Sequence, residues 1–450
     1  MRSPPEPYRT KSCEKIRLSA KGDRVAALEK AGFNVFLLPS ESVYVDLLSD
    51  SGTSAMSSSQ WASLLRADES FAHSKSYYSF MDSIRSVFRF EHILPLHQGR
   101  IGEHLFFQLT LKSGDHVPSN THFGTTRANI EAFGGIPHDL LTSAAFDWKS
   151  DVLFKGNLDT EGLLDLVARV DKGKIPVCML TITNNTGAGQ PVSLANIRSV
   201  REQLNQQNIP FYADAARFAE NAYLIRKYED ECKERSLEEV VKTILSHFDG
   251  CLVSAKKDGL SNTGGFFATN DTALADSFKD LAMLTEGFYT QGGCAARDLE
   301  AMGQGIKESL DEEYLSFRVG QVAYLGEMLA GEGVPVYKPY GGHAVFIVVE
   351  EFLPHLKHSD FPAQALCGEI YLEGGVRGAP ENVKAWKKKE SQMPEFVRLS
   401  IPRRVYSNTH LEYVAQVVSG VYKRRGSLGG LDIVKEPPRL KEFTSTFERR

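Results

Sequence analysis

Short apolar segments alternate with helical patterns through much of the chain, and this alternation constrains the fold more than any other feature. Strand-like segments occupy residues 92–96, 175–183, 210–214, 251–255 and 265–269, and most carry apolar side chains at successive positions. Strands that are apolar on both faces and separated by helices are typical of a mostly parallel sheet covered on both sides. The sequence therefore predicts an α/β fold.

The pattern changes after residue 310. Apolar residues at helical spacing predict one long helix over residues 315–329, and a buried strand is predicted at 344–349. We expect a large α/β domain over residues 46–310 and a smaller α+β domain formed by residues 1–45 and 311–450.

Composition, charge and cysteine spacing argue against several classes of protein. The 450 residues carry a formal net charge of −5, so no global basic field would attract nucleic acid or an anionic membrane. No apolar run approaches the roughly 20 residues of a membrane-spanning helix, and the first residues lack the apolar core of a signal peptide. The six cysteines contain no Cys-x-x-Cys pair, which argues against a disulfide framework or a zinc site. We expect a cytoplasmic protein that binds neither nucleic acid nor membrane.

Polar residues gather where the predicted strands end, which is the edge at which parallel sheets bind ligands. His97-Gln-Gly-Arg100 follows the first strand, a glycine-rich turn (residues 183–191) follows the second, Asp214 ends the third, and Lys256-Lys257 follows the fourth. Each feature has an ordinary alternative: a plain turn, an ion pair between Asp214 and Arg217, or a solvated pair of lysines.

One ligand accounts for all four features. Pyridoxal phosphate chemistry needs a lysine amine that forms a Schiff base with the aldehyde, and a carboxylate that keeps the pyridine nitrogen protonated. Lys257 and Asp214 supply those groups, and Ser254 and Arg100 could bind the phosphate. The residues therefore favour a pyridoxal-phosphate enzyme.

Several motifs around these residues form an ordered set through nearly the whole chain. They include LLSDSGT (47–53), HQGR (97–100), GQPVSLAN (189–196), ARFAENAY (216–223), SAKKD (254–258) and LSIPRR (399–404). This set resembles the β-eliminating lyases, the family of tryptophanase and tyrosine phenol-lyase. The resemblance implies the aspartate-aminotransferase-like, pyridoxal-phosphate-dependent transferase type I fold. That fold has a mostly parallel sheet of the seven-stranded type and a smaller α+β domain.

The resemblance also implies roles for individual residues. Lys257 would be the Schiff-base lysine that also moves the α-proton, and Lys256 would support catalysis through water. Residues implied to bind the cofactor are Gln98, Gly99, Arg100, Phe123, Asn185, Asp214, Arg217 and Ser254. Residues implied to face the substrate carboxylate are Ser49, Ser51, Asn185 and Arg403.

A potassium site and an oligomer are implied as well. Family members bind a potassium ion between subunits through backbone oxygens and one acid, and Gly52, Glu69 and Asn262 stand in those positions. The ordinary alternative for Glu69 is a surface acid. Because family active sites are built at the subunit interface, we expect a homo-oligomer that is at least a dimer, and a homotetramer by resemblance.

Four positions depart from the family pattern, and all fall at the side-chain pocket or at the leaving-group acid. Phe71 stands where the family has a tyrosine that helps to protonate the leaving group, and a phenyl ring has no exchangeable proton. Gly124, Glu381 and Glu442 replace other residues of the pocket. If both acids line it, they should favour a cationic or donor-rich side chain.

We therefore expect a lyase that acts on a β-substituted L-amino acid, by β-elimination to pyruvate and ammonia or by β-replacement. Its substrate should be neither simple tyrosine nor tryptophan, because a thiolate departs without an acid whereas a ring carbon does not. An aldolase, a transaminase and a cofactor-binding protein without activity stay open as alternatives.

Overall fold

The computed structural model of the protein describes residues 3–171, 173–386 and 392–450. Its strands are β1 (Val45–Asp46), β2 (His92–Leu96), β3 (His116–Ser119), β4 (Ile136–Asp139), β5 (Cys178–Thr181), β6 (Phe211–Asp214), β7 (Gly250–Ser254), β8 (Gly265–Thr269), β9 (Ala344–Val348), β10 (Val376–Arg377), β11 (Ala379–Glu381), β12 (Phe396–Ser400), β13 (Leu431–Lys435) and β14 (Thr446–Arg449). Its α-helices are α1 (Lys21–Lys30), α2 (Ser58–Arg66), α3 (Lys75–Val87), α4 (Gly99–Thr110), α5 (Gly124–Ala132), α6 (Thr160–Arg169), α7 (Leu194–Gln207), α8 (Phe218–Tyr228), α9 (Leu237–Leu245), α10 (Thr272–Thr285), α11 (Ala296–Glu308), α12 (Glu312–Gly331), α13 (Val349–Phe352), α14 (Pro362–Gly374), α15 (Asn408–Lys423) and α16 (Lys441–Thr444).

The chain divides into two compact units. The large unit comprises Ser51–Ala145 and Val152–Ser316. The small unit comprises Met1–Asp50, Phe146–Asp151 and Phe317–Arg450. The predicted helix at 315–329 is present as α12.

A five-stranded sheet in the order β2-β8-β7-β6-β5 forms the centre of the large unit. Strands β5, β6 and β7 are parallel, and β8 runs antiparallel to both of its neighbours. Strands β3 and β4 form a separate parallel pair. The side chain of Asn120, after β3, bonds both the N–H and the C=O of Thr181 in β5 at 3.0 Å. The predicted mostly parallel sheet is confirmed, but the described strands form a five-stranded sheet and a separate parallel pair instead of one sheet of seven strands.

Burial on both faces explains the apolar strands. In β7, Cys251, Leu252 and Val253 are at most 3% exposed. Such a strand ends where a polar side chain must reach water or a ligand, and β7 ends at Ser254. Ser236 and Glu239 have the sequence spacing of a capping box, which predicts a helix start, and the structure has this capping box at the start of α9.

The small unit has an α+β arrangement. Strands β11, β12 and β9 form an antiparallel sheet in that order, β1 pairs with β10, and β13 with β14 forms an antiparallel pair. Its core includes Leu28, Val45, Ile347, Leu366 and Val418. The register of β11 against β12 places Ala379 opposite Arg398.

No helix in the described part of the chain combines the length and the apolar character needed to cross a membrane.

Candidate active site

Lys257 lies in the turn after β7, at the edge of the sheet where β5, β6 and β7 end. Its Nζ donates a hydrogen bond to the Ser254 hydroxyl at 3.0 Å, and its side chain is half-buried. Lys256 is half-buried too. These positions do not fit a freely solvated pair of lysines. They place an amine at the edge where parallel sheets bind ligands.

Asp258 fixes the turn that carries Lys257. Its buried carboxylate accepts the backbone N–H groups of Ala219 and Glu220 at 2.8 and 3.0 Å, at the start of α8. Its own N–H donates to the carbonyl of Ala216 at 3.2 Å. An acid at a helix N-terminus is favourable because it satisfies unpaired N–H groups and complements the helix dipole. The lysine turn is thereby tied to the segment that follows β6.

Asp214 ends β6 and carries a carboxyl with a perturbed pKa. Burial raises the pKa of Asp214, while Lys257, the N–H of Ala216 and Arg217 lower it in that order. The Ala216 N–H donates to Oδ1 at 3.2 Å. Lys257 therefore acts on this carboxyl more strongly than Arg217 does.

Helix α4 begins against Ser254. Gln98 is its N-cap, and a Cβ added to Gly99 would lie 2.8 Å from the Ser254 Cβ and 3.0 Å from its Cα. Only a residue without a side chain lets the first turn of this 12-residue helix approach so closely. The N-terminus of such a helix presents unpaired N–H groups and favours an anion. Arg100 is exposed beside it.

Gly264 joins the start of α4 to the lysine turn. Its N–H donates to the carbonyl of His97 at 2.8 Å, and its carbonyl accepts the N–H of Ala255 at 3.1 Å. Its φ is +96°, and an added Cβ would lie 2.1 Å from the sulfur of Met302. Glycine is favoured here by the backbone conformation, which residues with a side chain rarely adopt.

Lys256 has a pKa below that of an ordinary lysine. Burial lowers the pKa of its amine, and the Arg100 guanidinium lowers it further. Gly52 packs against it: the Gly52 N–H donates to the Lys256 carbonyl at 2.8 Å, and a Cβ there would lie 2.7 Å from the Lys256 Cε. With a φ of +76°, Gly52 also has a backbone that favours glycine.

The other predicted cofactor residues of the large unit occupy loops and helix starts. Phe123 is half-buried directly before α5, Asn185 is 5% exposed in the turn after β5, and Arg217 is 6% exposed directly before α8. Gly124 is the exposed first residue of α5, and Ser51 is half-buried.

Glu103, which the sequence reasoning missed, is a buried acid on α4. Burial and the charge of Asp214 raise the pKa of Glu103 to about 7, against the effect of two threonine hydroxyls and Lys257. The sequence pattern that could have identified Glu103 is an acid close to apolar residues on one helix, since Leu105 and Phe106 are fully buried there.

In the small unit, Arg403 binds Asp50. Its Nη1 donates to Asp50 Oδ2 at 2.9 Å, and Arg318 lies 3.7 Å from the same oxygen. Arg403 is 0% exposed and Asp50 is 2% exposed. Two guanidinium groups thus lie beside one buried carboxylate. Ser49 is also a residue of this unit.

Comparisons with known proteins show the family to which the chain belongs. The sequence model of the beta-eliminating lyase family matches residues 46–417. A tryptophanase of Hyphomonas neptunium (strain ATCC 15444) is 47% identical over 449 residues, covering 99% of each chain. A tyrosine phenol-lyase of Pasteurella multocida (strain Pm70) is 44% identical, covering 99% of this chain and 98% of that protein. The chain belongs to the β-eliminating lyase family.

Solved structures agree on the fold of this lyase. An aromatic aminotransferase from Pyrococcus horikoshii OT3 superposes with a TM-score of 0.60 at 13% identity, over 90% of this chain and 99% of that chain. An aminotransferase from Staphylococcus aureus gives 0.59 at 14% identity, over 84% and 94%. The predicted aminotransferase-like fold is confirmed. Family membership makes the protein a pyridoxal-phosphate-dependent lyase that catalyses β-elimination.

The large unit of the lyase fits its cofactor. The absence of a side chain at Gly99 lets the N-terminus of α4 lie directly against Ser254, and helix N–H groups beside a hydroxyl suit a phosphate. An amine and a carboxylate, Lys257 and Asp214, act on each other at the same edge of the sheet. This donor set matches the needs of an aldehyde, a pyridine nitrogen and a phosphate.

Of the three residues predicted to bind potassium, Asn262 and Gly52 contact each other, whereas Glu69 has other partners. Asn262 Nδ2 donates to the carbonyls of Gly52 and Ser54 at 3.1 and 2.9 Å. Glu69 instead accepts the N–H of Ala296 at 2.9 Å and binds Arg297 at 3.1 Å, at the start of α11. Within residues 3–171, 173–386 and 392–450, no group of three or more histidine, cysteine, aspartate or glutamate side chains could hold a metal ion.

Two of the side-chain-pocket candidates lie close to each other in the small unit. Glu381 forms an ion pair with Arg398, and the two side chains are 20% and 10% exposed. Burial raises the pKa of Glu442, and the charge of Glu381 raises it further. Glu381 is therefore not an isolated anion, and neither acid points freely to solvent.

Phe71 belongs to an exposed aromatic group of the large unit. It is 74% exposed and its ring lies 5.6 Å from that of Phe288. His73 lies beside Phe288 and bonds the hydroxyls of Tyr78 at 2.9 Å and Tyr289 at 3.3 Å. Proton-bearing groups are thus close to the position where the family has its tyrosine.

Proposed function

We propose that the lyase eliminates a good leaving group, such as a thiolate, from a β-substituted L-amino acid. The observation that carries the proposal is the contact of Lys257 with Ser254 at 3.0 Å, with Asp214 acting on the same amine. An amine held at the end of a buried strand, opposite a carboxylate, is what the α-proton chemistry of this family requires.

Residues of the large unit would bind the cofactor. Gln98, Gly99, Arg100 and Ser254 would hold the phosphate, because helix N–H groups, a hydroxyl and a guanidinium all favour an anion. The remaining contacts are proposed for Asp214 at the pyridine nitrogen, Arg217 at the ring hydroxyl, Phe123 on the ring face and Asn185 beside it. When bound, pyridoxal phosphate supplies an electron sink for the bond broken at the substrate Cα.

Two lysines would move protons. Lys257 would take the α-proton, since its amine is half-buried and directed by the Ser254 hydroxyl. Lys256 would act through water. Its lowered pKa leaves a larger fraction of neutral amine at a given pH than an exposed lysine has, and a neutral amine can accept a proton.

A role at the substrate carboxylate stays a prediction for each of Arg403 and Ser49 in the small unit and Ser51 and Asn185 in the large unit. A guanidinium suits a carboxylate because its N–H groups form a planar fork that can bind both oxygens. Asp50 holds Nη1 of Arg403 at 2.9 Å and so fixes the direction of that fork.

The residue at position 71 supports the choice of leaving group. Phe71 has no proton to donate to a departing ring, whereas a thiolate needs none. If Glu381 and Glu442 line the pocket, the ion pair of Glu381 with Arg398 makes a donor-rich, neutral side chain a better fit than a cationic one. S-substituted cysteines meet the first condition, because their leaving group departs as a thiolate. A potassium site, a homo-oligomer and a cytoplasmic location stay predictions.

Borohydride reduction in the presence of pyridoxal phosphate tests the site. It should leave a phosphopyridoxyl group on Lys257, and peptide mass spectrometry would locate it. Lys256→Ala is the matched control, because it removes the neighbouring amine and should leave the labelling of Lys257 intact. Labelling on Lys256, or none, would contradict the proposal.

Product analysis tests the reaction. S-methylcysteine should give pyruvate, ammonia and methanethiol in equal amounts. An amino group transferred to an added keto acid would indicate a transaminase, and glycine with an aldehyde would indicate an aldolase. No product from any β-substituted amino acid would favour a protein that binds the cofactor without turnover.

A further inference from the structure

Glu103 is a buried carboxylic acid beside the residues assigned to the cofactor, and the proposed mechanism gives it no role. It lies on α4, one turn after Gly99 and Arg100. Only 8% of the residue is exposed. A carboxylic acid is costly to bury unless its oxygens are bonded, so its partners need an explanation.

Both carboxylate oxygens accept hydrogen bonds from α5. The Thr125 hydroxyl donates to Oε2 at 3.0 Å, and the Thr126 hydroxyl donates to Oε1. The threonines are 9% and 4% exposed. Because α5 begins directly after Phe123, these bonds connect α4, whose first residue packs against Ser254, to the helix that follows the aromatic ring.

The charged groups that act on Glu103 come from two strand ends. Asp214, at the end of β6, opposes a second negative charge, and Lys257, after β7, favours one. On α4 itself, Arg100 is exposed and His104 bonds Asn129 at 3.0 Å. Burial and Asp214 outweigh the threonines and Lys257, so the pKa of Glu103 rises to about 7. The acid can therefore change its charge at neutral pH.

We propose that Glu103 is a positioning residue whose protonation sets the amount of negative charge facing Lys257. When protonated, it adds no charge to that of Asp214; when ionised, it adds a second negative charge. A negative charge nearby stabilises the protonated form of the Lys257 nitrogen, so ionised Glu103 holds a proton there more firmly. This inference rests on the proposed function, which assigns Lys257 and Asp214 to the cofactor.

The first test uses the apoprotein and does not depend on activity. Infrared difference spectra between the wild type and Glu103→Gln, recorded over a pH series, isolate the carboxyl band of Glu103. We expect the protonated band to be lost with a midpoint near neutral pH. A midpoint near the ordinary glutamate pKa of about 4.3 would overturn the proposal.

Thr126 offers a matched pair of variants. Thr126→Val keeps the side-chain shape but removes the donor, so the midpoint should move up by about one pH unit. Thr126→Ser keeps a hydroxyl and should retain the wild-type midpoint. Equal midpoints for valine and serine would show that the hydroxyl does not control Glu103. This pair provides the test if Glu103→Gln does not fold.

The second test uses the protein loaded with pyridoxal phosphate. The visible absorbance of the bound cofactor is titrated against pH in the wild type, Glu103→Gln and Glu103→Asp. Loss of the carboxylate should move the absorbance midpoint to lower pH by about one unit, and aspartate should restore part of that shift. An unchanged midpoint in Glu103→Gln would overturn the inference. Failure of the wild type to bind the cofactor would instead refute the proposed function, while the apoprotein titration would still report on Glu103.

Discussion

The contact of Gly99 with Ser254 gives a sharp prediction about cofactor binding. In Gly99→Ala, the new Cβ would meet the Ser254 Cβ, Cα and N at 2.8, 3.0 and 3.2 Å. Two of these are backbone atoms of a buried strand end, so α4 must move instead. Such overpacking costs about 1–3 kcal/mol of folding free energy.

The displacement would act on cofactor affinity more specifically than on stability. A charge-assisted hydrogen bond contributes about 1.5–3 kcal/mol, so losing one phosphate contact should weaken pyridoxal phosphate binding about 10- to 100-fold. The measurement is the dissociation constant of the cofactor with apoprotein, followed by absorbance, alongside urea unfolding of the same apoprotein.

Gly102→Ala is the matched control on the same helix. Its nearest atoms would be Leu96 Cδ1 at 2.8 Å and Leu252 Cδ2 at 3.0 Å, which are ends of flexible side chains. Alanine also improves helix propensity by about 0.8–1 kcal/mol, so stability should change little and cofactor affinity should not change. Wild-type affinity in Gly99→Ala, or equal loss in both variants, would refute the argument from close approach.

Three other features lead to results that can be measured. Phe71→Tyr restores a phenolic proton, and since a general acid contributes roughly 10²–10⁴-fold, kcat/KM for tyrosine should rise far more than for S-methylcysteine. Efficient cleavage of tyrosine by the wild type would show that another group, such as His73, supplies the proton. Glu381→Gln breaks a pair with Arg398 in which neither side chain is more than 20% exposed, so urea unfolding should show a loss of about 1–3 kcal/mol. Analytical ultracentrifugation should show at least a dimer, and full activity in a monomer would contradict the proposed homo-oligomer.

Local patterns allowed much of the large unit to be predicted. The run from Cys251 to Val253 predicts a strand because a segment apolar on both faces must be buried on both faces. Ser236 and Glu239 predict a helix start because both partners of the capping box lie within one turn. Lys257 stands beside Ser254 because they are separated by a single tight turn.

Residues whose partners arrive from distant parts of the chain could not be predicted. Glu103 lies one turn from Arg100, a spacing typical of a solvated helix face, and its burial depends on Thr125 and Thr126 from the next helix. Glu381 and Arg398 meet because β11 and β12 pair in a particular register, which no local pattern specifies.

The two backbone hydrogen bonds of Gly264 determine how much of the chain must be translated before the proposed phosphate-binding site can form. This residue leads into β8, which is inserted between β2 and β7, so that His92 pairs with Thr269 across a long intervening stretch of chain. The two hydrogen bonds that join the start of α4 to the lysine turn through Gly264 are therefore made by a residue translated after both of them. A nascent chain arrested between Lys257 and Gly264 should therefore carry every proposed phosphate-binding residue and still fail to retain pyridoxal phosphate, whereas one extended beyond the large unit should retain it.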